Sequence, residues 1–204
     1  MGVASTAARA GAGCGGGDAD PLTTGSVTGD AATDNGGTGT VAQDGAGSAI
    51  VVTETAADPD ADVTAADCSL VGTLSVGTGS IALQSSVAEL IEVGAGVTND
   101  FVLADNELDG ITANTLTLTG TSMNGFRVDN VSATGTANIS NVVFDATALE
   151  TAVIFDTNAS TFADGTNVTI NSDDGGVTIN AALTLGEGGA TPQGTAAFVV
   201  NAMA

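Results

Sequence analysis

The chain contains no lysine, histidine, tryptophan or tyrosine, and only two basic residues, Arg9 and Arg127, against 24 acidic ones in 204 positions. Each absence removes a class of chemistry. Without histidine there is no Ser–His–Asp or Cys–His nucleophile system. Without lysine there is no phosphate-loop lysine and no Schiff base. Acid–base work is left to Asp and Glu alone. A net charge of −22 argues against nucleic acid as a partner, because basic residues must neutralise its phosphates. It also disfavours an anionic membrane surface. No apolar run approaches the roughly 18 residues of a membrane span, so membrane insertion is not expected. The first seventeen residues have neither the charged nor the apolar region of a secretory signal. Any export signal is expected to lie outside this chain.

Aromatic residues make up 3% of the chain while hydrophobic residues make up 43%. The apolar content is therefore mostly Ala, Val, Leu and Ile. That suits a narrow, repetitive β structure better than a globule built around large rings. A mean hydropathy of +0.31 argues against disorder throughout. Two cysteines, Cys14 and Cys68, are too few for a disulfide scaffold and are expected as unpaired thiols.

Residues 1–48 are dominated by Gly, Ala, Thr, Asp and Ser and read as a low-complexity, flexible segment. Gly11-x-Gly13-x-x-Gly16 lies there with no strand before it and no helix after it, so it carries no dinucleotide-binding meaning. From Ala49 onward the texture changes to short apolar–polar alternations separated by Gly, Asn and Asp. Ala49-Ile-Val-Val-Thr-Glu54 is the first. Leu74 and Val76 share a face, as do Ile81 and Leu83, and Leu116 and Leu118. In Gly176–Leu185, Val177, Ile179, Ala181, Leu183 and Leu185 read as one face of one strand. The phase slips at Asn114-Thr115, which marks a bulge in a flat sheet or a corner in a solenoid. Asn167-Val-Thr-Ile-Asn171 recurs as Gly176-Val-Thr-Ile-Asn180. Ser86-x-x-Glu89 fits a helix capping box before Leu90, Ile91 and Val93. Asp105 is placed to cap a short turn over residues 106–109, ended by Gly110. Residues 146–155 are ambiguous between helix and strand.

Asp58-x-Asp60-x-Asp62 is the best metal candidate, because alternate carboxylates can converge on calcium. Val63 and Ser69 stand where an EF-hand loop wants Gly and Glu, so a solvated acidic loop competes with it. Gly15-Gly-Gly-Asp-Ala-Asp20-Pro-Leu22 partly matches the calcium nonapeptide of RTX β-rolls, without a second good copy to stack on. Asp173-Asp174 offers paired acids for glycoside hydrolysis; an Asp-Gly turn at Gly175 is the plainer reading. Asn130, Asn138, Asn158 and Asn167 each open an Asn-x-Ser/Thr sequon. Strand asparagines can also stack as amide ladders. Thr115, Thr117, Thr119 and Thr121 form a stripe that an ice-binding solenoid would repeat.

The stretch Phe101-Val-Leu-Ala-Asp-Asn-Glu-Leu-Asp-Gly-Ile-Thr-Ala-Asn-Thr-Leu-Thr-Leu-Thr-Gly120 resembles a recurrent unit of large secreted bacterial surface proteins, the filamentous-haemagglutinin-like, β-strand-repeat adhesins. Glu107-Leu108-Asp109 and Ile111-Thr112-Ala113 carry the likeness. Gly110 and Asn114 depart from it, standing where a basic residue and a glycine are usual. The resemblance implies a right-handed parallel β-helix, export, and attachment to host cells, matrix or biofilm.

The expectation is therefore an all-β chain: a flexible segment over residues 1–48, then a β-solenoid of roughly six rungs over residues 49–204. Its role would be a non-catalytic stalk segment of a secreted or cell-surface adhesin, with neighbouring solenoid repeats as partners and no cofactor. A calcium-dependent β-roll is the first alternative and a β-helical polysaccharide hydrolase the second.

Overall fold

The computed structural model describes residues 48–51, 61–65, 72–85, 90–95, 101–120, 125–147, 152–172, 176–186 and 195–202. Residues 1–47 of the expected N-terminal segment, both cysteines, Asp58, Asp60, the Ser86–Glu89 box, Asp173 and Asp174 fall outside them, while Ser48, expected in that segment, opens the first strand. The strands in chain order are β1 (Ser48–Val51), β2 (Ala61–Ala65), β3 (Gly72–Ser75), β4 (Ser80–Ser85), β5 (Ile91–Gly94) and β6 (Phe101–Leu103). After helix α1 (Asp105–Leu108) come β7 (Ile111–Gly120), β8 (Gly125–Asp129), β9 (Ile139–Ala146), β10 (Ala152–Phe155) and β11 (Ser160–Phe162). The last are β12 (Asn167–Ser172), β13 (Val177–Ile179), β14 (Leu183–Leu185) and β15 (Phe198–Ala202). The chain is all-β in class, and every pairing between described strands is parallel.

One sheet follows β1-β3-β7-β9-β12-β15, with β2 and β4 joined to it through β7. A second follows β13-β10-β8-β5-β6, and a third pairs β11 with β14. From β10 onward the chain visits the second, third and first sheets in turn, and then repeats the cycle through β13, β14 and β15. Thr115, Asn141 and Asn167 therefore align across successive strands, 26 residues apart.

The alternation in the sequence sets which side chains face inward. Ile81 and Leu83 of β4, Leu116 and Leu118 of β7, Val142 and Phe144 of β9, and Val168 and Ile170 of β12 are all buried. The phase slip at Asn114-Thr115 is present in β7: the N–H groups of both residues point at the Gly79 carbonyl, at 2.8 and 3.5 Å. The inward set resets there from Ala113 to Leu116, and β9 repeats the reset from Ile139 to Val142 in register.

Three expectations are corrected. The run Gly176–Leu185 is not one strand: the chain turns between Ile179 and Leu183, and β13 and β14 lie in different sheets. The two Val-Thr-Ile-Asn copies consequently sit on β12 and β13, also in different sheets. Ile91–Gly94 is a strand, not a helix. Asp105 does not cap α1: the helix starts after Ala104, whose N–H donates to the Glu107 carboxylate at 2.7 Å. The Asp105 carboxylate instead accepts from the backbone N–H and the hydroxyl of Ser132, each at 2.7 Å.

The core also holds more aromatic surface than the composition suggested. Phe101, Phe126, Phe144, Phe155 and Phe162 are fully buried. Phe126, Phe144, Phe155 and Phe198 form an edge-to-face column, with centroids 5.5, 6.3 and 6.2 Å apart. Buried hydroxyls at the corners find partners on adjacent strands or turns. Thr136 accepts from the Ala163 N–H at 2.8 Å, and Thr166 donates to the Ile139 carbonyl at 2.8 Å.

Close strand stacking requires glycine at the ends of the second sheet's strands. Gly94 has a φ of +117°, and a Cβ there would run into the Asp129 carbonyl of the paired strand. Gly77 also has positive φ, at +62°, but nothing lies within 4 Å of its would-be Cβ. Gly77→Ala should therefore cost only the left-handed backbone penalty, about 1–2 kcal/mol. Gly94→Ala should add overpacking of roughly another 1–3 kcal/mol. Urea denaturation midpoints of the two variants test the order.

A candidate site around Arg127

Arg127 is the one basic residue among the described residues. It lies on β8, in register with Glu92 of β5 on one side and Ile154 of β10 on the other. Its Nη1 donates to Glu92 Oε1 at 3.0 Å and its Nε to Asp156 Oδ2 at 2.7 Å. Its Nη2 lies 3.7 Å from Asp129 Oδ2. One guanidinium thus faces three carboxylates drawn from β5, β8 and the residue following β10. The Glu92 side chain is completely buried, while those of Arg127 and Asp156 are 28% and 30% exposed. The Asp129 carboxylate is further fixed by the Asn158 backbone N–H at 2.6 Å. The hydrogen bond to Glu92, then the one to Asp156, raises the Arg127 pKa above the ordinary arginine value. The guanidinium is therefore held in its charged form.

Chemically this is a staple more than a reaction centre. A general acid or base must reach its substrate, and the Glu92 carboxylate is sealed from solvent and bound to Arg127. Asp129 and Asp156 are held by the same cation. Among the described residues no group of three Asp, Glu, Cys or His side chains is arranged to hold a metal ion. No family model matches the chain, and no curated protein or solved structure matches it. The geometry has to carry the reading by itself.

The candidates from the sequence are scattered. Of the Asp58, Asp60 and Asp62 set, only the Asp62 backbone is described, on β2 in register with Ala82; Asp58 and Asp60 lie outside the described residues. The Gly15–Leu22 nonapeptide and the Asp173-Asp174 pair also lie outside them. Thr115, Thr117 and Thr119 line the outer face of β7, but Thr117 aligns with Ala82 and Val143, so the stripe is not repeated on its neighbours. The amide ladder is present. Asn167 donates to Asn141 Oδ1 at 3.0 Å, Asn141 to the Asn114 carbonyl at 2.9 Å, and Asn201 to Asn171 Oδ1 at 2.8 Å. Of the sequon residues, Asn167 belongs to this ladder and Asn158 is tied to Asp129, while Asn130 (φ 57°) and Asn138 are exposed in turns.

Sequence reasoning missed the Arg127 cluster. Its two hydrogen-bonded partners stand 35 and 29 residues away, and nothing local links them to it. The signal available was the isolation of Arg127 in a region rich in acids.

Removing the cation leaves a charged carboxylate in the interior. Arg127→Met should cost about 3 kcal/mol, the lower end for a broken buried pair, since the guanidinium is partly exposed. Replacing the pair together, as Glu92→Leu with Arg127→Met, should recover most of that loss. In the single variant burial favours the neutral form of the Glu92 carboxyl. Its stability should therefore return as pH falls and be lost as pH rises, opposite to ordinary acid denaturation. Denaturant unfolding of the three proteins from pH 7 to pH 4 checks both the order and the sign.

Proposed function

We propose that the region from residue 49 onward winds as a β-solenoid and serves as a structural, non-catalytic stalk segment of a secreted or surface-attached adhesin. The observation that carries this reading is the cyclic order in which β10 to β15 visit the three sheets, with every pairing parallel. A chain that returns to the same sheet after each circuit, one strand further on, is winding about an axis. Parallel crossovers are right-handed in nearly all known cases, which favours a right-handed coil. The likeness of residues 101–120 to adhesin repeat units supports the surface role, and the engagement of the Arg127 cluster in binding strand to strand supports a non-catalytic one.

The six strands of the path from β1 to β15, at about 4.8 Å each, give a height of about 24 Å. As a stalk it works through its neighbours, transmitting load from rung to rung through the ladder bonds.

Two measurements on the full chain test the reading. Far-UV circular dichroism in EDTA should already show a β spectrum, unchanged on adding calcium. A coil that becomes β only with calcium would replace the stalk by a β-roll, with Asp58, Asp60 and Asp62 the first residues to mutate. Pulled by its termini in an optical trap, the chain should lengthen in steps of about one circuit, as nearest-neighbour repeats do. A single all-or-none rupture would count against load carried rung by rung. Release of reducing ends from an acidic glycan, lost on Asp173→Ala, would point to the hydrolase instead.

A further inference from the structure

The chain carries four Asn-x-Ser/Thr sequons, opened by Asn130, Asn138, Asn158 and Asn167, and all four lie among the described residues. Attaching a sugar to a sequon needs two groups at once. The asparagine amide nitrogen must be accessible as the nucleophile. The Ser or Thr hydroxyl two residues on must be accessible to the transferase that reads the sequon. The fold separates the four sequons on both counts.

Three are already committed to the stack. At Asn158 the amide donates to Asp129 Oδ2 at 3.3 Å, and the sequon hydroxyl, on the buried Ser160, accepts from the Val131 N–H at 3.2 Å. At Asn167 the amide nitrogen donates to Asn141 Oδ1 at 3.0 Å, and the amide oxygen accepts from the Ala197 N–H at 2.9 Å. Its hydroxyl residue, Thr169, is half-buried in the middle of β12, in register with Val143 on one side and Val199 on the other. At Asn130 the hydroxyl is the engaged group. Ser132 Oγ donates to Asp105 Oδ2 at 2.7 Å and accepts from the Gly135 N–H at 3.1 Å.

Asn138 differs. It ends the turn between β8 and β9, and Ser140 is the second residue of β9. Both residues are exposed, and neither side chain is hydrogen-bonded to a described residue. Ile139, between them, is buried in the core. Strand alternation therefore sets Asn138 and Ser140 on the same, outward side. The backbone beneath them is held: the Asn138 carbonyl accepts from the Ala113 N–H at 3.1 Å, and the Ile139 N–H donates to the Thr136 carbonyl at 3.1 Å.

We propose that Asn138 is a glycan acceptor, the one sequon of the four that the folded chain presents with amide and hydroxyl both open. The donor is a sugar activated as its anomeric diphosphate ester. Asn138 Nδ2 attacks the anomeric carbon and a C–N bond forms. The bond from that carbon to the diphosphate oxygen breaks, and the diphosphate leaves with the electron pair. The amide loses one proton to a base of the transferase, and nothing is oxidised or reduced. The inference goes beyond the stalk reading and does not depend on it, because transfer needs only the folded turn.

Mass spectrometry of the full chain isolated from the cells that make it tests the site. The expected mass exceeds 19.5 kDa by one glycan, carried on the peptide that holds Asn138. Release with a peptide N-glycosidase converts the carrier asparagine to aspartate and so marks the position. A single added sugar identifies a nucleotide-linked donor and a whole oligosaccharide a lipid-linked one; either supports the proposal. Asn138→Gln and Ser140→Ala should each lose the glycan completely, Ser140→Thr should keep it, and all three should leave the β spectrum unchanged. A bare Asn138 in every wild-type molecule overturns the proposal. A glycan on Asn130, Asn158 or Asn167 overturns it as well, because the fold would then not be what selects the acceptor.

Discussion

The parallel ladder between strands far apart in sequence is the constraint on which everything else depends. A parallel strand cannot pair with its neighbour through a tight hairpin; the chain has to travel and return. Here it returns after 26 residues from β7 to β9 and again from β9 to β12. That spacing decides which side chains meet. The Asn141–Asn167 side-chain hydrogen bond and the matched phase resets after Ala113 and Ile139 are both consequences of that register. A one-residue slip would send Leu116, Val142 and Val168 to the outer face at once.

The same ladder explains how so acidic a chain tolerates a buried carboxylate. Glu92 stands directly beneath Arg127 in the second sheet, so the register that pairs the strands also pairs the charges. Most of the remaining described acids are placed where they are hydrated or engaged by backbone N–H groups. Asp105 is held by Ser132 across 27 residues and Asp129 by Asn158 across 29. These bonds tie one level of the stack to the next at the corners, where strand pairing is interrupted. Polar groups thus contribute to cohesion between levels, while the apolar interior supplies most of the burial.

Strand-level structure was legible in the sequence because it is local. The alternations at Ile81/Leu83 and Leu116/Leu118 face inward as read, and the inward set does reset at Asn114-Thr115. What was not legible is whatever depends on the length of the return path. Arg127 has partners 35 and 29 residues away that no local pattern announces. The six phenylalanines are few in composition, yet all of them join the core because each falls on an inward position. The run Gly176–Leu185 kept its alternation through a turn, so periodicity alone could not reveal that Asn180, Ala181 and Ala182 carry the chain from one sheet to another. Asp105 looked like a cap because caps are read from sequence neighbours, and its real partner, Ser132, lies one level further on.

A stack held by nearest-neighbour contacts has a particular energetic shape. Each level is stabilised by the levels on either side, so interior levels gain two interfaces and terminal levels gain one. The covered end of this molecule reduces that deficit with fully buried Phe101 and Leu103. The open end does not: Phe198 packs on Phe155 below it, while its other side has no described neighbour. The aromatic column therefore ends without a cap, and so does the amide column, where Asn201 donates downward to Asn171. Among the described residues, β13, β14 and β15 are therefore the strands held from one side only.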